Sequence, residues 1–348
     1  MRELVAVVLD WTRRLLPVIL LVTIGWFGWH WRDAPANWVD WRQGNRPLMT
    51  AKTWYYNLSN VDLDLIAKVD SDVLVIDFAK NGGKDPLTAE DVKKLKTGPT
   101  GKPRTVVSYF SIGEAEEFRF YWKPEWNAQP PSWDGGENCA WPKAHKVRYW
   151  QDDWRDIIIR GSNSYLKQIV AAGFDGVYLD RVDVYEHQKD EINAARDLRA
   201  EMKLLVSEVK RVGTQLKPGF QVIAQNAEDL LMDRDYRQTI DGLGKEDLLY
   251  GGKATGKRNE RKDISWSLER LNKLRWDWKP VFVVEYPLTK EMIDAARTEL
   301  ARLGMVPTFQ HRSLDGSDPT DPKVERKPGS TVGTPEYVAE FCRDKPWW

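Results

Sequence analysis

The chain has 348 residues, enough for one large domain, and its 52 lysines plus arginines are matched by 52 aspartates plus glutamates. That balance argues against nucleic acid as a partner and gives no overall attraction to an acidic surface. Two cysteines, Cys139 and Cys342, exclude a disulfide framework and a zinc-ligand spacing, and four histidines fall in no HxxxH or HExxH arrangement, so neither a metal nor a cofactor is expected.

The N-terminus opens with Arg13 and Arg14 before an uncharged apolar run at 15–29, LLPVILLVTIGWFGW, as in an export signal. An uncleaved signal anchor over 1–31 is the preferred reading, because no small-x-small site directly follows the run. Ala34-Pro35-Ala36 keeps a cleaved signal peptide as the alternative. Either way the rest of the chain is expected outside the cytoplasm, facing the periplasm from an inner-membrane anchor or released as a periplasmic or secreted protein. Residues 32–52, rich in tryptophan, proline and charge, read as a linker.

From residue 53 to 311 apolar runs alternate with helical spacing. Strands are expected at 54–58, 73–79, 104–110, 175–180, 220–226, 240–246, 280–286 and 304–310. Helices are expected at 61–69, 88–96, 156–173, 190–216, 227–237, 264–276 and 289–303. Eight near-continuous apolar strands with helices between them describe an α/β fold, a closed (β/α)8 TIM barrel. No GxGxxG or GxxxxGK[ST] turn supports an open doubly wound sheet. The insertion at 113–154 is long and carries Trp122, Trp126, Trp133, Trp141, Trp150 and Trp154. Residues 312–348 form a turn-rich extension that packs on the barrel or trails from it. Cys139 and Cys342 either pair in an oxidising compartment or remain thiols.

Barrel chemistry sits at the C-terminal strand ends, and polar residues cluster there: Asp77, Glu114, Asp180, Asn226, Glu246 and Glu285. Arg119, Arg181 and Lys245 are available as structural partners for these acids. Two acids facing across a cleft are also what glycoside hydrolysis needs, one to protonate the leaving oxygen and one to attack or to activate water. A divalent cation is the other use of clustered acids, but no DxDxDG-type loop recommends it. His187 and His311 follow predicted strands and could line such a site or lie on surface loops. The 18 tryptophans suit stacking on sugar faces as well as core packing.

The segments SYFSIGEAEEFRFYW (108–122), GFDGVYLDRVD (173–183), QNAED (225–229) and DGLGKEDLLYG (241–251) resemble glycoside hydrolase family 114, the endo-α-1,4-polygalactosaminidase-like barrels. The resemblance runs in order from about residue 53 to 311. It implies endo-cleavage of α-1,4-linked galactosamine or N-acetylgalactosamine polysaccharide by a retaining mechanism, with Asp180 as nucleophile and Glu246 as general acid/base. Asp77, Tyr109, Glu114, Asn226, Glu228 and Glu285 would then bind sugar hydroxyls or an amino group, and Trp122 and Trp150 would stack on sugar rings. Glu228 is also a rival for the second carboxylate. The competing reading is a non-catalytic envelope protein that binds polysaccharide through the aromatic insertion.

Overall fold

A computed structural model describes residues 48–80, 83, 85–186, 196–286, 289–317 and 333–342. The chain divides into two units, 1–46 and 47–348. The expected targeting segment and His187 lie outside the described residues, as does most of the expected linker. Among the described residues no helix is long and apolar enough to cross a membrane.

The first strands are β1 (Trp54–Asn57), β2 (Val73–Ile76) and β3 (Thr105–Ser111), and the insertion adds β4 (Glu114–Glu116), β5 (Asp134–Glu137) and β6 (Ala144–Val147). There follow β7 (Gly176–Asp180), β8 (Gln221–Gln225), β9 (Gly242–Glu246), β10 (Val281–Glu285) and β11 (Val306–Phe309). Eight of them form one parallel sheet in the order β1-β2-β3-β7-β8-β9-β10-β11. The sheet curls into a nearly closed (β/α)8 TIM barrel. At its seam the Trp54 indole Nε1 donates to the Val306 carbonyl at 2.9 Å, and the Leu58 N–H donates to the Leu314 carbonyl at 2.8 Å.

Acids at the strand entrances set the register. Asp72 accepts from the Lys52 and Thr53 N–H groups, Asp175 from Val106 N–H, and Asp241 from Val222 N–H. Each carboxylate thus satisfies an orphan donor at the base of a neighbouring strand, and Asp175 and Asp241 also hold lysines. The aspartates that precede the apolar runs in FDG and IDG are therefore structural stitches.

Period-two alternation then sorts each strand into two faces. Trp54, Tyr56, Val73, Val75, Val107, Tyr109, Tyr178, Ile223, Phe282 and Val284 fill the barrel interior. Leu74, Ile76, Val106, Val177, Leu179, Val222, Ala224, Leu243, Val281 and Val283 pack outward against the helices.

Several boundaries differ from the expectations. Leu48 and Ala51, expected in the linker, are buried with the interior cluster, so barrel packing begins before residue 53. The helix expected at 156–173 becomes a helix at Asp152–Arg155, a π turn at Asp156–Arg160 and a helix at Tyr165–Ala171. Gly161 ends the π turn, and the Ser164 hydroxyl satisfies the Ile159 carbonyl. The helix expected at 227–237 is split at Asp233, which Arg199 and Lys203 hold in an extended conformation. The described part of the helix expected at 190–216 is Leu198–Leu216, capped by Asp197. The insertion forms a small antiparallel sheet, β4-β6-β5. Cys139 within it is disulfide-bonded to Cys342, with their Cα atoms 5.7 Å apart, and Glu336 accepts hydrogen bonds from Thr255. The two cysteines are therefore paired rather than free.

Candidate active site

Inward parity at the C-terminal mouth selects Tyr56, Asp77, Tyr109, Asp180, Gln225, Glu246 and Tyr286. The first three and the last of these are nearly or wholly buried, while Asp180 and Glu246 are half-buried. Asp180 ends β7 and Glu246 ends β9, with β8 between them. Neighbouring strands run about 4.8 Å apart, so the two backbones stand roughly 10 Å apart and their inward side chains converge over the mouth. Leu179 is paired with Ala224 and Gln225 with Gly244, which puts Glu246 one inward position higher than Asp180.

The chain leaves these strands abruptly. Arg181 after β7, Asn226 and Ala227 after β8, and Asp247 after β9 all have φ between 50° and 61°, the left-handed region that non-glycine residues avoid. Such strain at three successive strand exits marks a place the surrounding structure holds for a reason other than stability. It also brings the Arg181 N–H back onto the Asp180 carboxylate at 2.7 Å.

Asp180 accepts a second hydrogen bond from the Tyr109 hydroxyl at 2.6 Å. Burial pushes its carboxyl up to about 7, the Arg181 charge opposes this, and the Glu246 charge adds to it. Glu246 is held by the Tyr286 hydroxyl at 2.5 Å, by the Gln225 amide, and by the Asn226 amide at 3.3 Å. Tyr56 in turn donates to the Gln225 oxygen at 3.1 Å, fixing which end of that amide faces Glu246. Beneath Glu246 the inward position is Gly244, where a Cβ would lie 1.9 Å from the Tyr178 hydroxyl. Glycine is what lets that ring fill the barrel under the site. Among the described residues neither Asp180 nor Glu246 is in an ion pair, and both are oriented by neutral donors or backbone.

The other acids are committed elsewhere. Asp77 forms a two-pronged pair with Arg119 at 2.8 and 2.9 Å, both almost fully buried, and the Arg119 guanidinium lies over the Tyr109 ring. Glu114 is taken by Arg181 at 2.7 Å and Asn138 at 2.7 Å. Glu228, the rival carboxylate, is taken by Lys245 at 3.0 Å and the Ser267 hydroxyl at 2.8 Å. Glu285 lies on the outward face, wholly buried, and accepts the N–H groups of Leu249 and Tyr250 at 2.7 and 3.2 Å. It therefore shapes the loop after β9 and does not reach the mouth. Trp122 is only 6 % exposed and packs among Trp126, Trp133 and His145, so it offers no free face to a sugar. Trp150 is half-buried beside Tyr149 and below Arg196, and His311 closes a turn with Ser313.

Of the expected sugar-binding set, Tyr109 and Asn226 touch the carboxylate pair directly. Asp77, Glu114 and Glu228 stand behind Arg119, Arg181 and Lys245. Gln225, Tyr286, Tyr56 and Tyr178 complete the mouth and are not among the expected residues, although strand parity points to each. A cleft of about 490 Å³ opens at the exits of β8 and β9, lined by Asp183, Glu186, Asn226, Glu228, Lys245 and Trp266 among others; Asp180 and Glu246 are not part of its lining.

A TIM barrel with two half-buried carboxylates at the C-terminal mouth has the architecture of a glycoside hydrolase. The family is shown by sequence: the model of glycoside-hydrolase family GH114 matches residues 32–325, and the chain belongs to that family. An uncharacterised protein of Methanocaldococcus jannaschii is 35 % identical over 270 residues, covering 75 % of this chain and 72 % of that protein. Two solved structures share the fold at 18 % identity. Aspergillus fumigatus Ega3, in complex with galactosamine, gives a TM-score of 0.55 over 76 % of this chain and 92 % of that one. The glycoside hydrolase domain of PelA from Pseudomonas aeruginosa gives 0.57 over 76 % and 96 %.

Proposed function

We propose that the chain is an endo-acting glycosidase that cuts α-1,4-linked galactosamine or N-acetylgalactosamine polymers with retention, Asp180 serving as nucleophile and Glu246 as acid/base. The observation that carries this is the pair itself, two inward carboxylates that form no ion pair among the described residues, each aimed by fixed donors. In the first step the Asp180 oxygen forms a bond to the anomeric carbon as the glycosidic C–O bond breaks, and Glu246 gives its proton to the departing oxygen. In the second, Glu246 removes a proton from water, which attacks the anomeric carbon and frees Asp180. Tyr286, Gln225 and Asn226 keep Glu246 in place through both proton transfers.

The substrate class rests on the family and on charge. Asp183, which has no ion-pair partner among the described residues, and Glu186 line the cleft at the exits of β8 and β9 together with Lys245 and Lys262, and the two acids suit a polymer bearing free amines. The galactosamine held by Ega3 supports the same class. Burial of Trp122, Trp133 and Trp154 removes half of the insertion's six tryptophans from a purely binding role, while Trp141 stays exposed. The Cys139–Cys342 disulfide suits an oxidising compartment, in keeping with export.

One observation favours a second assignment of roles: a carboxyl raised to about 7 is suited to donate a proton, which would make Asp180 the acid and Glu246 the nucleophile. Azide distinguishes the two. With Asp180→Ala, an azide product of inverted configuration identifies Asp180 as the nucleophile, and a retained one identifies it as the acid. The substrate is tested by incubating the chain with galactosamine polymers of graded acetylation and with starch. Release of internal fragments from the former alone is expected, and cleavage of starch alone would refute the amino-sugar reading.

A further inference from the structure

The end of the barrel opposite the carboxylates carries its own pattern. Among the large apolar side chains left exposed, Met49 precedes β1, Leu216 precedes β8, and Trp276 and Trp278 precede β10, so all four lie at the N-terminal strand ends. Trp276 is 69 % exposed and Trp278 79 %, values far above those of the tryptophans packed in the core. Trp278 also has φ 60°, a conformation that glycine or asparagine adopts at lower cost. The turn thus holds a bulky indole in solvent at the expense of backbone strain, which folding alone does not explain.

The surroundings are cationic. The Lys273 ammonium lies 5.1 Å from the Trp276 ring, and Arg275 and Arg302 stand on the same end, while the Lys279 ammonium is taken by the Arg237 and Ile240 carbonyls at 2.6 Å. Asp277, the acid within this stretch, is taken by Arg237 at 2.7 Å. The chain as a whole has no net charge, so any attraction exerted here is local. The polypeptide also enters the barrel at this end, where Leu48 and Ala51 pack with Trp54 and Val73 just before β1. In the sequence, only residues 30–47 separate this entry from the uncharged run at 15–29, a tether of at most about 60 Å even when fully extended.

We propose that this N-terminal end is a membrane-resting face: Trp276 and Trp278 sit at the headgroup level of an anionic bilayer, and the cations around them pair with lipid phosphates. Indole rings are apolar in body with one N–H donor, which is why tryptophan favours that level, and basic side chains are drawn to anionic leaflets. The carboxylate mouth then faces away from the lipid, open to a polymer in the surrounding solution. This orientation is independent of which sugar is cut and of which carboxylate is the nucleophile.

The disulfide makes the test direct, because the chain's two cysteines are already paired and an introduced one is the unique thiol. The full chain is labelled with an environment-sensitive fluorophore at Lys52→Cys, at the N-terminal end, or at Lys253→Cys, exposed at the mouth side. Each is reconstituted in phosphatidylglycerol/phosphatidylethanolamine vesicles containing a bilayer-embedded quencher. The label at 52 is expected to lose most of its emission while the label at 253 keeps it. Adding Trp276→Ser and Trp278→Ser should restore the emission at 52 without altering turnover of soluble polymer, and phosphatidylcholine vesicles or high salt should weaken the quenching. Equal quenching at both sites, or quenching at 52 that ignores the two tryptophans, overturns the proposal. Shielding of the label at 52 in lipid-free detergent also overturns it, showing instead that a second protein copy covers the face.

Discussion

Replacing Asp180 with asparagine should make the protein more stable in alkali than in acid relative to the parent. The side chains have nearly the same shape, so the main change is loss of an ionisable group whose carboxyl is raised by burial from 3.8 to about 7. A raised carboxyl pKa means the folded state binds the proton more tightly than the unfolded chain does. The parent therefore suffers no ionisation cost below 3.8, loses stability as pH climbs from 3.8 through about 7, and levels off above that. Within that range each step of one in pH costs about 1.4 kcal/mol, so the interval between pH 5 and pH 8 corresponds to about 2.5 kcal/mol, or about 2 kcal/mol once the partial exposure of Asp180 is allowed for. Asparagine removes this pH-dependent cost. It also loses one acceptor for Tyr109 or the Arg181 N–H, a constant penalty that cancels when the two pH values are compared. Urea midpoints of parent and Asp180→Asn at both pH values, with the disulfide intact, give the quantity directly. Parallel pH profiles for the two proteins would refute the burial argument.

With Asp180 as nucleophile, kcat/KM should rise with pH through about 7 as its carboxyl ionises, and a profile falling through the same range would favour the reversed roles. Tyr286→Phe removes the hydroxyl that donates to Glu246 and should lower kcat about ten- to hundredfold with little change in the unfolding midpoint. An unchanged kcat would show that Glu246 is held adequately without it. Gly244→Ala forces a methyl group against Tyr178 and should cost about 1–3 kcal/mol of stability, read from thermal unfolding, whereas a neutral outcome would mean the ring has room to move.

The barrel strands were legible because each is a short apolar run bounded by aspartate, glycine or proline, a pattern that buried parallel strands demand. The ends of the same runs misled where parity was not followed. Glu285 closes VFVVE and looks like a mouth residue, yet Val284 fills the barrel interior, so its neighbour must point outward. The same count along β8 favours Gln225 over Asn226 as the inward residue, and along β10 it favours Tyr286. Partners were less accessible to sequence, because Arg119 reaches back 42 positions to Asp77 and Lys245 meets Glu228 across a strand end. The insertion hid its sheet for a different reason: DGGE and AHKV carry neither apolar alternation nor a β-rich composition, and only pairing with each other makes them strands. Its tryptophans were legible as a cluster, but their burial was not, since indoles packed against one another and indoles stacked on sugar share the same composition.

The proposed chemistry requires Asp180 and Glu246 to act as one catalytic pair. Reducing-end release from a galactosamine polymer, measured for Asp180→Asn and Glu246→Gln beside the parent and with folding verified by circular dichroism, tests it most directly. Both folded variants are expected to fall to background, and retention of parental activity by either one would contradict the assignment.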